Sequence, residues 1–151
     1  MSNKANLERM LETMSEAAGN MPIIAPLRTD AAQVVQLLDA SKHRNLHIVQ
    51  PLGYLEFSYL LLNAAGVITD SGNVAEEATF TNVPCATLNS YTEHIETVKQ
   101  GTNVLVGEDA QKLRTAVSDM VSGKWKTATI PDRWDGRSAE RIIQTLIDFV
   151  K

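Results

Sequence analysis

The chain has 151 residues, of which 44% are hydrophobic and 21% charged, so it can bury one sizeable core but is too short for two comfortable domains. With 18 acidic and 14 basic residues, its net charge of −4 argues against the basic surface that nucleic-acid binding requires. We therefore expect one domain over residues 1–151 and no role with DNA or RNA.

No segment of the sequence suggests export or membrane insertion. The start "MSNKANLERML" lacks the apolar core of a signal peptide, and Asn or Gly interrupts every long apolar run. Cys85 has no second cysteine to pair with, which fits a reducing compartment, and its setting in "VPCATL" favours an inert core thiol. We therefore expect a cytoplasmic protein.

The first predicted element is an amphipathic helix over residues 4–18, where apolar residues recur at helical spacing before Gly19-Asn20. A strand at 22–26 and a helix at 29–41, capped by Thr29 or Asp30, come next. Four further pairs follow, each a strand and then a helix. The strands are predicted at 46–50, 66–69, 84–88 and 102–107, and the helices that follow them at 55–65, 74–80, 92–100 and 109–123, respectively. The helix at 55–65 is apolar enough to predict that it is largely buried.

A last amphipathic helix over 138–151 aligns the apolar stripe Ile142, Ile143, Leu146, Ile147 and Val150. Short apolar strands that alternate with helices predict a doubly wound α/β domain, in which a parallel sheet is covered on both faces. Ligands of such sheets bind beyond the carboxyl ends of the strands. The loops to inspect are therefore those at 26–29, 50–54, 70–73, 89–95 and 106–109.

Ser71-Gly72-Asn73 lies where a predicted strand turns into a helix. Free backbone N–H groups at the helix start, a glycine and a serine hydroxyl together suit a phosphate group. The alternative is helix capping, because Asn73 and Glu76 have capping-box spacing. Capping gives no role to Glu77. Its carboxylate could accept hydrogen bonds from the vicinal hydroxyls of a sugar or lie exposed in solvent.

Two other loops carry candidate residues. Tyr54 and Phe57 in "PLGYLEF" either form a flat platform for a nucleobase or pack in the core. His94 in "YTEHIE" either carries a positive charge near a phosphate or lies exposed at a helix start. His43 and His47 have no third ligand at useful spacing, so we expect no metal site.

Three segments in order, "PLGYLEF", "TDSGNVAEEATFTNVPCATLNSYTEHIETVKQGTNVLVG" and "WDGRSAERI", resemble the C-terminal domain of the non-hydrolysing UDP-N-acetylglucosamine 2-epimerases. The resemblance is strong over residues 46–151 and weaker over 4–45. It implies one Rossmann-like half of a GT-B-type fold that holds UDP and needs no cofactor. It also implies a set of UDP-binding residues: Ser71, Gly72 and Asn73 at the diphosphate, Glu77 at the ribose, His94 near the phosphates, and Leu52, Tyr54 and Phe57 in the segment that borders the uracil.

The sequence departs from the family pattern at several positions. Asn73 stands where a second glycine is usual, Ile95 stands where proline is usual, and "PLR" at 26–28 stands where "PVH" is usual. The resemblance also implies that the first, central strand of the domain precedes residue 1. Without that strand the sheet would have a gap, or two exposed strand edges that invite pairing with another chain.

In the complete enzymes of this family, the implied reaction interconverts UDP-N-acetylglucosamine and UDP-N-acetylmannosamine through elimination and re-addition of UDP. The acid/base carboxylates lie in the N-terminal domain, so this chain alone is expected to bind UDP or a UDP-N-acetylhexosamine without turnover and to supply no catalytic residue. One alternative is a non-catalytic nucleotide-sugar or interaction module, or the donor-binding half of a split glycosyltransferase, paired with a partner chain or a second copy. Another is a flavodoxin-like domain of unrelated function.

Overall fold

The computed structural model describes residues 4–27 and 43–150, in which short strands alternate with helices. The helix predicted at 29–41 lies outside the described residues. The first six elements are α1 (Lys4–Ala18), β1 (Ile23–Pro26), β2 (Leu46–Val49), α2 (Tyr54–Asn63), β3 (Val67–Thr69) and α3 (Gly72–Phe80). The remaining five are β4 (Cys85–Thr87), α4 (Ile95–Lys99), β5 (Asn103–Leu105), α5 (Ala110–Ser122) and α6 (Ser138–Val150).

Helix α5 shows how local sequence sets the ends of an element. The Asp109 side chain accepts from the backbone N–H groups of Gln111 and Lys112 at 2.9 and 3.1 Å, and these bonds lower the pKa of that carboxyl. At the other end, Gly123 adopts a left-handed conformation with φ of 68°, which ends the helix at little steric cost. The predicted boundaries of 109–123 therefore fall within one residue of the observed ones.

The described strands form two parallel sheets, β1-β2 and β3-β4-β5. Ile23 pairs with Leu46 in the first sheet, whereas Val67, Cys85 and Asn103 lie in register across the second. In a doubly wound order, the strand position between β1 and β3 belongs to a central strand. Residues 4–27 and 43–150 place no strand there, so β1 and β3 each keep one unpaired edge in this part of the chain.

Helices cover both faces of the second sheet. On one face, α1 and α5 form an apolar cluster that contains Met10, Leu113 and Ala86. The opposite face carries a second cluster, composed of Leu61, Ala75, Ala78, Val83 and Cys85. Because the adjacent residues Cys85 and Ala86 face opposite clusters, the strand is buried on both sides, as a doubly wound fold requires.

The cluster under α1 and α5 also joins the two sheets. Ile23 of β1 and Leu46 of β2 pack against it from the first sheet, and Ile68 of β3 packs against it from the second. The two sheets therefore share one layer of helices although no strand pairing links β1 to β3 in the described residues.

The prediction that the helix at 55–65 is largely buried is wrong. Only Leu61 of α2 is buried, whereas Leu55, Tyr59 and Leu62 are exposed. Phe57 and Leu61 lie four residues apart and form the single stripe that packs on the second cluster. Of the other apolar side chains of α2, Leu60 is partly buried and the rest are exposed.

Helix α6 has the predicted amphipathic pattern but no buried residue. Its apolar stripe is exposed, from 46% at Ile147 to 85% at Val150. Within the described ranges, no helix combines the length and the apolar character that crossing a membrane requires.

Candidate functional site

The candidate site lies at the start of α3, beyond the carboxyl end of β3. Ser71 is the N-cap residue of α3, and its side chain makes no capping hydrogen bond. The Ser71 N–H donates to Thr69 Oγ1 at 3.0 Å, and the helical bonds begin with Ala75 N–H, which donates to the Ser71 carbonyl. The amides of Gly72, Asn73 and Val74 therefore precede the helical ladder, and the Ser71 hydroxyl lies beside them as a further donor.

His94 approaches this helix start from the loop after β4. Its Nδ1 lies 2.9 Å from Glu76 Oε1, and the two side chains are partly exposed, His94 at 32% and Glu76 at 40%. The ring lies so close to Gly72 that a Cβ built on Gly72 would come within 2.5 Å of His94 Cδ2 and 2.6 Å of Nε2. A glycine at position 72 therefore lets the imidazole lie against the α3 backbone.

This contact corrects the capping-box interpretation. The N-cap residue is Ser71, Asn73 lies exposed inside the first turn, and Glu76 contacts His94 instead of the helix start. The local spacing of Asn73 and Glu76 matched a capping box, but Ser71 already occupies the cap position, two residues earlier.

A chain of buried hydrogen bonds connects the sheet to His94. Thr87 Oγ1 donates to Asn103 Oδ1 at 2.7 Å, and Asn103 Nδ2 donates to Thr97 Oγ1 at 3.1 Å. The Thr97 hydroxyl then donates to the His94 carbonyl at 2.7 Å. Because Asn103 and Thr97 are fully buried, this network fixes the backbone of residue 94 relative to β4 and β5.

A cavity of about 530 Å³ opens beside the same helix. Glu77 and Glu76 of α3 line it together with Tyr54 of α2 and Trp134 of the loop before α6. The remaining lining residues are mostly apolar: Ser58, Leu61, Leu62, Phe80 and Thr81. An apolar cavity with two carboxylates and three aromatic side chains can take a flat ring system that bears hydroxyl groups.

The structure brings some of the predicted residues together and separates others. Ser71, Gly72 and His94 meet at the start of α3, and Glu77 and Tyr54 share the cavity. Asn73 follows Gly72 in the first turn of α3, whereas Leu52 and Phe57 do not line the cavity. Phe57 packs on the second apolar cluster, as the core-packing alternative predicts.

Two site residues were not identified from the sequence. Glu76 was interpreted as a cap, although it precedes Glu77 directly and contacts His94. Trp134 lies within "WDG", one of the segments that carry the family resemblance, but nothing local indicated that it lines a cavity with Glu77.

Cys85 lies outside the site and is fully buried in the second cluster. Desolvation by burial raises the pKa of its thiol to about 12, although Thr87 and Lys126 oppose the shift. The core interpretation of Cys85 therefore agrees with the structure.

A family model described as UDP-N-acetylglucosamine 2-epimerase matches residues 1–147. The chain belongs to this family. The epimerase fold is also confirmed, because the α/β arrangement with parallel sheets matches GT-B-like epimerase structures. The family match excludes an unrelated flavodoxin-like domain.

Individual relatives match much of the chain. The UDP-N-acetylglucosamine 2-epimerase of Methanocaldococcus jannaschii is 44% identical over 106 residues, which are 69% of this chain and 28% of the relative. The UDP-2,3-diacetamido-2,3-dideoxy-D-glucuronate 2-epimerase of Pseudomonas aeruginosa is 33% identical over 148 residues, 93% of this chain and 39% of the relative. The chain therefore spans well under half the length of these epimerases and matches their C-terminal part.

A solved structure of the Methanocaldococcus jannaschii epimerase, in complex with UDP-N-acetylglucosamine and UDP, superposes with a TM-score of 0.78 at 36% identity. The superposition covers 96% of this chain and 41% of that chain. The epimerase of Neisseria meningitidis bound to UDP-N-acetylglucosamine gives a TM-score of 0.73 at 26% identity, over 95% of this chain and 41% of that chain.

Proposed function

We propose that this chain is the single UDP-binding domain of a UDP-N-acetylglucosamine 2-epimerase. The observation that carries the proposal is the start of α3, where the Ser71 hydroxyl and the amides of residues 72–74 can donate to an anion and the His94 ring faces the same backbone. The relatives support it, since epimerases named for different sugars share this part of the fold, and UDP is the portion that those sugar nucleotides have in common.

In this proposal, the diphosphate accepts from the Ser71 hydroxyl, the free amides of residues 72–74 and the His94 ring. Glu77 in the cavity accepts from the ribose hydroxyls. The segment that contains Leu52, Tyr54 and Phe57 borders the uracil, with Phe57 holding α2 on the core and Tyr54 exposed at the cavity.

The proposed role in catalysis follows from the reaction. UDP leaves the sugar and returns to it, so negative charge develops on the diphosphate as the bond to the sugar breaks. Donors fixed at the start of α3 would stabilise that charge without reorganising during the reaction. The proton transfers at the sugar require carboxylates from outside this chain, so the chain alone is expected to bind UDP and not to turn over.

Calorimetric titration of the purified chain with UDP tests the binding site. We expect saturable binding by the wild type, loss of binding in the double variant Ser71→Ala with Glu77→Ala, and unchanged unfolding by urea. Glu93→Ala is the matched control, because Glu93 is an exposed carboxylate in the neighbouring loop. Unchanged UDP affinity in the double variant would contradict the assignment of Ser71 and Glu77 to the UDP site.

The unpaired edges of β1 and β3 favour a second element of the proposal: a partner chain that completes the sheet. The edges flank the central strand position of the doubly wound order, and both strands pack on one helical layer. Parallel pairing on both sides requires an extended, apolar strand, which is typical of a buried central position.

Co-expression tests this partner. The chain would be produced together with the part of the Methanocaldococcus jannaschii epimerase that lies N-terminal to the matched region. We expect a complex by light scattering and slower amide exchange at 23–26 and 67–69, with little change at β2 and β5, the outer strands of the two sheets. Separate species with unchanged exchange would contradict a partner strand, and a dimer of the chain alone would favour a second copy instead.

A further inference from the structure

Glu76 has no assigned role in the proposed UDP site, although it contacts one of the residues that form it. Its Oε1 lies 2.9 Å from His94 Nδ1, and the opposite edge of the same ring, with Cδ2 and Nε2, faces Gly72. The carboxylate therefore holds the ring from one side while the other ring nitrogen points toward the start of α3.

The backbone of His94 is fixed independently. Its N–H donates to Thr92 Oγ1 at 3.0 Å, and its carbonyl accepts from the buried Thr97 hydroxyl. The main chain of residue 94 is thus anchored through α4 to the sheet, and the side chain is anchored to α3 by Glu76. Among the described side chains of α3, Glu76 is the one that lies within hydrogen-bond distance of the His94 ring.

The chemistry of the ring defines what this contact can do. A neutral imidazole that donates its Nδ1–H to Glu76 presents a lone pair at Nε2, which repels a phosphate oxygen. Only the imidazolium can donate to Glu76 and to a phosphate at once. A carboxylate at Nδ1 therefore holds the ring in the orientation that turns Nε2 toward an anion at the start of α3.

We propose that Glu76 is a positioning residue that acts on the diphosphate of the ligand through His94. This inference rests on the proposed UDP site and extends it, because it assigns the two consecutive carboxylates of α3 to different parts of one ligand. Glu77 contacts the nucleoside, whereas Glu76 controls the donor that faces the phosphates.

A double-mutant cycle separates this role from direct ligand contact. The variants are Glu76→Gln, His94→Gln and the double variant, each titrated with UDP and with uridine. We expect Glu76→Gln to weaken UDP binding by about five- to tenfold and to leave uridine binding unchanged. In the His94→Gln background, the same Glu76 substitution is expected to change UDP affinity by less than about twofold, because the residue through which it acts is gone.

A second measurement reports the ring state itself. Calorimetry of UDP binding in two buffers of different ionisation enthalpy measures the protons taken up with the ligand. Protonation of His94 on binding predicts an uptake in the wild type that disappears in His94→Gln and changes in Glu76→Gln. The control variant Glu93→Gln is expected to match the wild type in affinity and in uptake.

Several results would overturn the inference. Additive losses in the cycle, or weaker uridine binding in Glu76→Gln, would show that Glu76 contacts the ligand directly. A wild type that binds UDP while Glu76→Gln binds it equally well would remove the positioning role but leave the proposed function standing. A folded wild type that binds neither UDP nor uridine would overturn both.

Discussion

Gly72→Ala tests the contact between His94 and the start of α3, because it adds one methyl group at the centre of the site. The added Cβ would lie 2.5 Å from His94 Cδ2, so the ring has to move. The displaced ring is a partly exposed side chain and can turn into solvent, whereas the backbone of His94 stays anchored by Thr97. The variant therefore removes a donor from the site and leaves the fold in place.

The effect on stability is the sum of two small terms of opposite sign. Alanine in a helix is favoured over glycine by about 0.5–1 kcal/mol. Loss of the partly exposed His94–Glu76 contact costs about 0–1 kcal/mol. The free energy of unfolding is therefore expected to change by less than about 1 kcal/mol, while UDP affinity falls roughly tenfold or more because the ring donor is lost and the new methyl group crowds the diphosphate.

Gly101→Ala is the matched comparison, since the chemical change is the same. A Cβ on the buried Gly101 would lie 2.8 Å from the Thr97 carbonyl and 2.4 Å from the buried Thr79 side chain, which cannot turn into solvent. We expect this variant to lose about 1–3 kcal/mol of stability from overpacking. Urea unfolding and UDP calorimetry on both variants give the answer. A loss of stability in Gly72→Ala as large as in Gly101→Ala, or wild-type UDP affinity in Gly72→Ala, would refute the reasoning.

Three further predictions concern other parts of the chain. Asn103→Leu removes the acceptor of the buried Thr87 hydroxyl and the donor to Thr97 Oγ1. It should lower the free energy of unfolding by about 2–4 kcal/mol, measured in urea; a loss below about 1 kcal/mol would contradict the buried network. Cys85 should react with a thiol reagent at neutral pH only at the rate of unfolding, since burial raises its pKa to about 12; fast labelling of the native chain would disprove this. Arg141 donors lower the pKa of Asp135 to about 2 from 3.8, so the contribution of this pair is complete above pH 3.8 and lost as the pH falls through 2. Carbon-13 titration of the Asp135 carboxyl should show this low midpoint, and Arg141→Gln should raise it.

The elements that were predicted best from the sequence have both a strong hydrophobic periodicity and residues that mark the ends of the helix. Helix α5 has four buried residues on one stripe, an Asp109 cap and a Gly123 stop, and α1 ends before a glycine with φ of 60°. The burial of α2 could not be predicted, because an apolar composition does not say how many faces of a helix have a neighbour.

The candidate site was only partly predictable for a related reason. Ser71 and Gly72 were identified because a strand-to-helix corner is a local pattern. Glu76 and His94 are 18 positions apart and meet only when α3 and the loop after β4 pack together. A local capping rule therefore gave Glu76 the wrong partner, and Trp134 was missed because it reaches the cavity from a distant loop.

Helices α5 and α6 have the same length of 13 residues but opposite environments. Four side chains of α5 are buried, whereas α6 has none and is held at its start by Arg137–Glu140 and Arg141–Asp135 pairs. Isolated helices of this length are marginal in water, so α6 depends on its own side-chain pairs for helicity while α5 shares the stability of the whole core. The two helices are therefore expected to unfold separately. On warming, α6 should lose its helical signal gradually, well before the cooperative melting of the sheets, and the first protease cut should fall between α5 and α6.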